Sequence, residues 1–424
     1  MASIRFAGAS QPGTRPSRTS VRACPTPRQS DSPLQTLYPI AALLLSVFLL
    51  IAGNSLIGVV APVRADLAGF GDLTIGLLGS AYFAGMLLGT LKTPVIVRRV
   101  GHIRAFTAFV AIAIVAIDIM PVWAAPGTWL VSRALLGFAF SGIYAVIESW
   151  IHAKASNTNR GALYGVYQIV NFVASASGQL LLRGLDPNAF VPFTIGASLF
   201  ALGIVPLAMT RAAAPEAPRN VSLRLSRLLD LSPISVAAAL AAGAANGAAF
   251  ALAPIYALGI GVKPSAVPLF TVAIVFGSAV GVYPAGWLSD RIDRRVIMAL
   301  VMTAGAAFEV ALASLEPVGV PLAALGFCVG LATYTLYTLA VSLANDRAKS
   351  VEMVLVSAGL LFVYCLGAIT APPLASLAMR AFGPSALFAQ NAIVHGALAG
   401  LALWSLAVDA RSIGRGRWLT PWRP

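Results

Sequence analysis

The sequence predicts an all-α membrane protein with twelve transmembrane helices in two pseudo-symmetric bundles of six. Three observations carry this expectation. The 424-residue chain is 58% hydrophobic and only 10% charged, with a mean hydropathy of +0.84. A water-soluble fold of that size needs more charge to cover its surface. Its apolar residues gather into stretches near the ~20 residues that carry a helix across a bilayer. Finally, one offset superposes landmarks of the first half on the second.

Lipid offers the backbone no hydrogen-bonding partner, so stretches this long are helices. In order, they are residues 37–61, 74–97, 105–123, 127–151, 162–182, 189–210, 233–260, 266–288, 296–315, 319–343, 353–379 and 385–408. The first acts as its own insertion signal. The seventh, tenth and eleventh are long enough to tilt. Between the sixth and seventh, residues 211–231 hold Pro215, Pro218 and four arginines, and they divide the chain into halves. The expected organisation is a disordered basic tail (1–33), a first bundle (34–210), a linker (211–231), a second bundle (232–409) and a second tail (410–424). An organelle transit peptide is the other reading of the Arg-, Ser- and Pro-rich first tail.

The net charge of +14 reports topology. With the N-terminus inside, 24 of the 29 Lys and Arg fall in cytoplasmic segments. Arg64, Arg183, Lys263 and Arg380 lie outside, and Arg133 lies within a span. This is the positive-inside pattern; it predicts an inner, cytoplasmic membrane with both termini in the cytoplasm and no nucleic-acid partner. Cys24, Cys328 and Cys365 form no disulfide framework or metal motif. His102, His152 and His395 lack the spacing of metal ligands, and no nucleophile–base cluster or nucleotide-binding motif is visible, so neither enzyme nor cofactor is expected.

The internal repeat is seen in "GMLLGTLKTPVIVRRVGHIR" from Gly85 and "GSAVGVYPAGWLSDRIDRRV" from Gly277. An offset of 192 residues superposes Gly85 on Gly277, Gly89 on Gly281, Arg99 on Arg291 and His102 on Arg294. Each copy reads as a small-xxx-small helix contact, then a tight basic loop. Asp118 and Glu309 fall within one residue of the same offset.

Ionisable groups inside spans are unfavourable by about 2.5–3.5 kcal/mol each, so each demands a reason. In the fourth span, Arg133, Gly137, Phe140, Tyr144 and Glu148 share one helical face, with Arg133 and Glu148 about 22 Å apart along the axis. Glu148 reads either as a proton-coupling site or as a latch to Arg98 or Arg99 at the inner gate. Asp118 and Arg133 are placed to pair near the outer ends of the third and fourth spans, as coupling groups or as a static buried pair. The fifth span carries a polar stripe of Tyr164, Gln168, Asn171 and Ser175, with Gln179 just off it, serving interhelical hydrogen bonds or substrate. Further cavity candidates are Asn54, Asn246, Tyr256, Tyr334, Tyr337 and Tyr364. Asn391 and His395 are expected to make structural bonds, and Glu309 is also expected to be structural.

Over essentially the whole chain beyond the tail, these features resemble the major facilitator superfamily. "GWLSDRIDRR" from Gly286 is similar to its signature loop, whereas the first copy has Arg98 where the pattern has aspartate. "RRVGHIR", "RALLGFAFSGIYAVIESW" and "NRGALYGVYQIVNFVASASGQLLL" resemble the bacterial YcaD-type branch. The resemblance implies a monomeric secondary active transporter of a small organic solute, coupled to protons or another ion. Arg133 would be the coupling-related fourth-span arginine, and Arg98, Arg99, Gly101, Arg104, Asp290, Arg291 and Arg294 would form the inner gate loops. Proton-coupled efflux by antiport is the expected mode. Uptake of a metabolite or sugar by symport, and a non-transporting receptor or scaffold, are the alternatives.

Overall fold

The computed structural model describes residues 33–154, 160–209, 225–349 and 352–414. The tail up to residue 32, linker residues 210–224 and residues 415–424 lie outside the described residues. Contacts divide the chain into Met1–Tyr38 and Pro39–Pro424, and the features below belong to the second unit.

Among the described residues the regular elements are all helices, joined by short turns and loops, without strands. The first bundle comprises α1 (Pro33–Leu67), α2 (Asp72–Val100), α3 (His102–Val122), α4 (Pro126–Lys154), α5 (Arg160–Leu181) and α6 (Val191–Ala208). A short α7 (Leu225–Leu231) leads to the second bundle. That bundle comprises α8 (Pro233–Gly259), α9 (Val267–Ser289), α10 (Arg294–Leu315), α11 (Val320–Thr333), α12 (Thr335–Asn345), α13 (Met353–Phe382) and α14 (Ala386–Gly414). Prolines start several helices where the missing N–H has no intrahelical partner, as at Pro192, Pro233 and Pro268. Ser232 and Asp293 cap α8 and α10 by accepting from the backbone N–H of Ser235 and Arg295.

Among the described residues, eleven spans are long and apolar enough to cross a membrane, with α11 and α12 forming one of them. Helix α5 has 22 residues, and its stripe of Tyr164, Gln168, Asn171, Ser175 and Gln179 makes it more polar than the rest. The chain is a multi-pass membrane protein.

The repeat read from the sequence is a repeat of contacts. A Cβ on Gly85 would lie 1.9 Å from the Ala134 carbonyl oxygen, and one on Gly137 would lie 1.9 Å from that of Tyr82. In the second bundle a Cβ on Gly277 would lie 2.0 Å from the Phe327 oxygen, and one on Gly330 would lie 2.0 Å from that of Ile274. So α2 on α4 and α9 on α11 meet backbone to backbone, each through glycines that permit the approach. Lipid gives apolar side chains no reason to associate, so this close packing supplies much of the attraction between helices.

Two details go beyond the sequence reading. The tenth span runs as one stretch, Val320–Asn345, with a turn at Tyr334 where α11 stops at Thr333 and α12 begins at Thr335. Thr333 Oγ1 donates to the Val329 carbonyl at 2.9 Å and Thr335 Oγ1 to that of Ala332 at 2.7 Å. Threonine back-bonding of this kind bends helices. The linker is also partly structured, because "LSRLLDL" forms α7 and buries Leu228 next to Gly359 of α13.

The bundles meet unevenly. Helix α13 runs antiparallel to α2, with Gly76 against Pro372 and Ser376, and Ser80 Oγ donating to the Ile369 carbonyl at 2.5 Å. Gly79 faces Ala251 of α8. These contacts lie at the end away from the loops 98–104 and 290–295, which is called here the basic end. The apolar core continues from the first bundle into Ala248–Ala257, Phe270, Ala371 and Phe388. Near the basic end, the second bundle has separate clusters around Met298, Met302 and Leu339 and around Leu228 and Val356. The bundles are therefore sealed together at one end, and their cores part toward the other.

Candidate transport site

Arg133 anchors the sealed end. It is 2% exposed, with its guanidinium 4.8 Å from the Tyr82 ring centroid and 5.9 Å from that of Phe250 in the other bundle. Its Nε donates to the Leu78 carbonyl at 3.5 Å. Two aromatic faces thus solvate a cation that has no carboxylate beside it. Asn54 Nδ2 donates to the Tyr82 hydroxyl at 3.2 Å, which ties Asn54 to this seal.

The expected Asp118–Arg133 pair does not form. Helix α3 packs through Phe109, Ala113, Ile117 and Met120, and Asp118 projects from another face and is exposed. The offset that relates Asp118 to Glu309 also does not carry over to their surroundings, since Glu309 is fully buried. The Tyr256 hydroxyl donates to the Leu312 carbonyl at 2.8 Å, and its ring packs edge-on against Phe388 at 4.7 Å.

Beside the seal, Ser55, Gly58, Gln179, Phe250, Pro254, Thr271, Ile274 and Tyr334 line a cavity of about 50 Å³ between α1, α5, α8, α9 and the turn between α11 and α12. This is room for a few waters, not for an organic solute. Ser55 Oγ donates to Ser175 Oγ at 2.9 Å, so the upper part of the α5 stripe is used in holding α1.

The lower part of the stripe is open. On a 100° wheel, Tyr164, Gln168, Asn171 and Ser175 lie away from the exposed apolar row Val166, Ile169, Val173 and Leu180. Gln168 is exposed on this polar face. The Tyr144 hydroxyl donates to Asn171 Oδ1 at 3.0 Å, and Asn171 Nδ2 donates to the Tyr167 carbonyl at 2.8 Å, tying α4 to α5.

Glu148 lies one turn beyond Tyr144 and is half-buried. It is close enough to interact electrostatically with the hydroxyls of Tyr144, Tyr164 and Tyr167, and with Tyr337 of the second bundle. Among the described residues, no ion pair or hydrogen bond to its carboxylate is present, so the latch to Arg98 or Arg99 is not formed in this state. Tyr337 and Tyr364 stack edge-on at 5.2 Å. Asn246, in α8, is buried with its Oδ1 lacking a protein partner. The result is a cluster of tyrosines around one carboxylate, drawn from α4, α5, α12 and α13. Tyr167, whose buried hydroxyl has no protein partner, belongs to it but was not singled out from the sequence. Its i,i+3 spacing from Tyr164 was the available signal.

The gate loops differ in their engagement. Arg294 bridges Asp290 Oδ1 at 3.1 Å, Asp346 Oδ2 at 2.6 Å and Ser289 Oγ at 2.9 Å, which ties α9, α10 and α12 within one bundle. Arg291 stacks on Trp287 at 3.8 Å. In the first bundle Gly101 turns the chain at φ +84°, and Arg98, Arg99 and Arg104 are exposed. His102, in the position of Arg294, is buried beside Trp150, so the first loop cannot build the same clamp. Burial raises the Asp293 carboxyl, but hydrogen bonds from Arg295 and the charges of Arg295 and Arg347 outweigh this and hold it below its ordinary value. Hydrogen bonds from Arg227 and the Lys349 backbone do the same for Glu352.

Two bundles of membrane helices joined at one end around an off-lipid polar vestibule define a membrane transporter. The chain belongs to the Major Facilitator Superfamily, whose model matches residues 43–277 and again 234–417. It is 26% identical over 365 residues to the MFS-type transporter YcaD of Shigella flexneri serotype 5b, covering 84% of this chain and 93% of that one. YcaD of Escherichia coli K12 is similar to the same degree over 363 residues. Among solved structures, the nucleoside transporter NupG (D323A mutant) superposes with a TM-score of 0.73 at 12% identity, over 86% of this chain and 99% of that one. An inward-facing bacterial homologue of the human lysosomal transporter Spinster gives 0.69 at 15%, over 92% and 100%. The fold and family are those of secondary transporters, not enzymes.

Proposed function

We propose that the chain exports small amphiphilic solutes in exchange for protons, with Glu148 as the proton-binding group. The observation that carries this reading is the position of Glu148, a carboxylate with no ion pair among the described residues and within electrostatic reach of Tyr144, Tyr164, Tyr167 and Tyr337. A carboxylate that proton and solute can reach from the same side is a place where they compete. Its proton affinity then has to differ between the two access states. Tyrosine walls suit flat or cationic organic solutes through ring faces, with hydroxyls for orientation. Arg133 is held at the far end of α4 by Tyr82 and Phe250, and it acts as part of the outer seal.

The basic residues put the open end and both termini in the cytoplasm at an inner membrane, so the described state is inward-facing. The working unit is a monomer. The bundles rock about the vestibule, and the loops 98–104 and 290–295 close it from the inside.

The test uses purified protein in vesicles carrying a pH-sensitive dye and an imposed pH gradient, screened against organic cations, nucleosides and sugars. Wild type releases protons when a substrate is added, and Glu148→Gln binds substrate without moving protons. Full proton-linked transport by Glu148→Gln would overturn the assignment.

A further inference from the structure

Away from the vestibule, at the basic end, the second bundle carries a groove of about 250 Å³ lined by Pro233, Ile234, Arg295, Arg347, Leu401, Trp404, Ser405 and Val408. Its position in the fold fixes its depth. Arg295 is the second residue of α10, Arg347 lies two residues past α12, and Pro233 opens α8, so its upper rim is where helices leave the membrane. Below that rim the wall is the outer face of α14. Trp404 is 65% exposed, Val408 43% and Leu401 37%. From Leu401 to Val408 this wall runs about 10 Å along the helix.

The rim is cationic and partly fixed. The Arg295 guanidinium is held in place by Asp293, with Nη2 to Oδ2 at 3.0 Å and Nε to Oδ1 at 3.2 Å. Arg347 is exposed, and its one protein hydrogen bond among the described residues is a long one, Nη1 to the Leu231 carbonyl at 3.5 Å. Among the described residues, the rest of its N–H fork has no hydrogen-bond partner. A guanidinium fork matches phosphate oxygens in shape and charge. An indole at the boundary and an aliphatic wall beneath it match the glycerol and acyl region of a lipid.

We propose that this groove is a binding site for an anionic phospholipid, with the phosphodiester on Arg347 and Arg295 and an acyl chain along Leu401, Trp404 and Val408. A soluble phosphate would engage the rim and leave the apolar wall in contact with nothing. A zwitterionic lipid would bring its own cation against the arginines. Basic pockets between helices at this depth have the chemistry that recognises such headgroups.

The test is native mass spectrometry of the full chain, extracted from vesicles of equal phosphatidylglycerol and phosphatidylcholine. Wild type is expected to retain one phosphatidylglycerol in preference to phosphatidylcholine. Arg347→Gln should weaken that retention about fivefold, the worth of one interfacial cation on an anionic lipid. Trp404→Ala should weaken it through the acyl contact, and Arg183→Gln, elsewhere on the surface, should leave it unchanged. Thermal unfolding of each variant, compared with wild type, separates lost binding from lost folding. Should Arg347→Gln not fold, Trp404→Ala and Ser405→Leu, which fills the groove, decide the matter. Equal retention of the two lipids, unchanged retention in the variants, or displacement of the lipid by millimolar glycerol phosphate would overturn the proposal.

Discussion

Glu309 of α10 and His395 of α14 meet at 2.7 Å, Oε2 to Nδ1, with both side chains fully buried inside the second bundle. Asn391, one turn from His395, reaches across to the Ala245 carbonyl of α8 at 3.2 Å. Whichever partner carries the proton, each relieves the other in surroundings closed to bulk solvent. Removing one leaves a buried polar group unmatched, so His395→Leu or Glu309→Leu should each cost about 3–5 kcal/mol. The double replacement, Glu309→Leu with His395→Leu, should recover much of that loss. Thermal unfolding followed by fluorescence size-exclusion chromatography checks both, and additive losses would show that the two groups do not act as a pair.

The α2–α4 seam leaves no space for a side chain at Gly137, where a Cβ would lie 1.9 Å from the Tyr82 oxygen. Gly137→Val should therefore abolish accumulation of folded protein. Gly286→Ala, with nothing within 4 Å of its Cβ, should be tolerated. Yield of monodisperse protein distinguishes them.

The bond between Tyr144 and Asn171 orients one wall of the vestibule. Tyr144→Phe keeps the ring and loses the hydroxyl, with an expected loss of about 1 kcal/mol, near fivefold in substrate affinity. Thermal stability should change little. A direct binding isotherm checks this, and an unchanged dissociation constant for every transported solute would remove Tyr144 from the site.

Stability should fall in acid. Asp293 and Glu352 lie outside the spans, and both are held below their ordinary values of 3.8 and 4.5. A depressed carboxyl contributes stability that is fully present above its unfolded pKa and is lost as pH falls through its folded one. The loss should therefore develop below about pH 4. Asp293→Asn removes both the dependence and the charge that holds Arg295, so its melting temperature should be lower than wild type at pH 7 and converge with it in acid. A gap that persists unchanged at low pH would contradict this.

The outer seal rests on aromatic faces around Arg133. Phe250→Ala removes one of them and opens the cleft above Gly58. A cysteine introduced at Ser55 should then react with a membrane-impermeant maleimide from the sealed side, where the parent protein is protected. Equal labelling in both would show that Phe250 closes nothing.

How much of this was legible in the sequence depends on whether a feature is local. The glycines at 85, 89, 277 and 281 could be read because close backbone contact leaves a spaced signature within one helix. The polar face of α5 could be read for the same reason. The partner of Arg133 could not, because helical periodicity gives the relative directions of side chains on one helix but not the rotation of its neighbour. Two charges near the same membrane depth were therefore paired in expectation, although α3 turns Asp118 away. Glu309 and His395 were each recognised as structural, but their contact depends on α10 packing against α14 and has no sequence spacing. The interruption at Tyr334 was overlooked because "LATYTLYTL" is apolar enough to pass as continuous helix.

That interruption gives α12 a mechanical role. The eleven residues from Thr335 to Asn345 form a rod about 16 Å long. Tyr337 sits near Tyr334, and the far end is fastened through Asp346 to Arg294 and the turn between α9 and α10. A swing of 10° about Tyr334 carries the fastened end about 3 Å while moving Tyr337 only slightly. On the proposed function, small adjustments around a solute would thus be magnified into displacement of the loop 290–295.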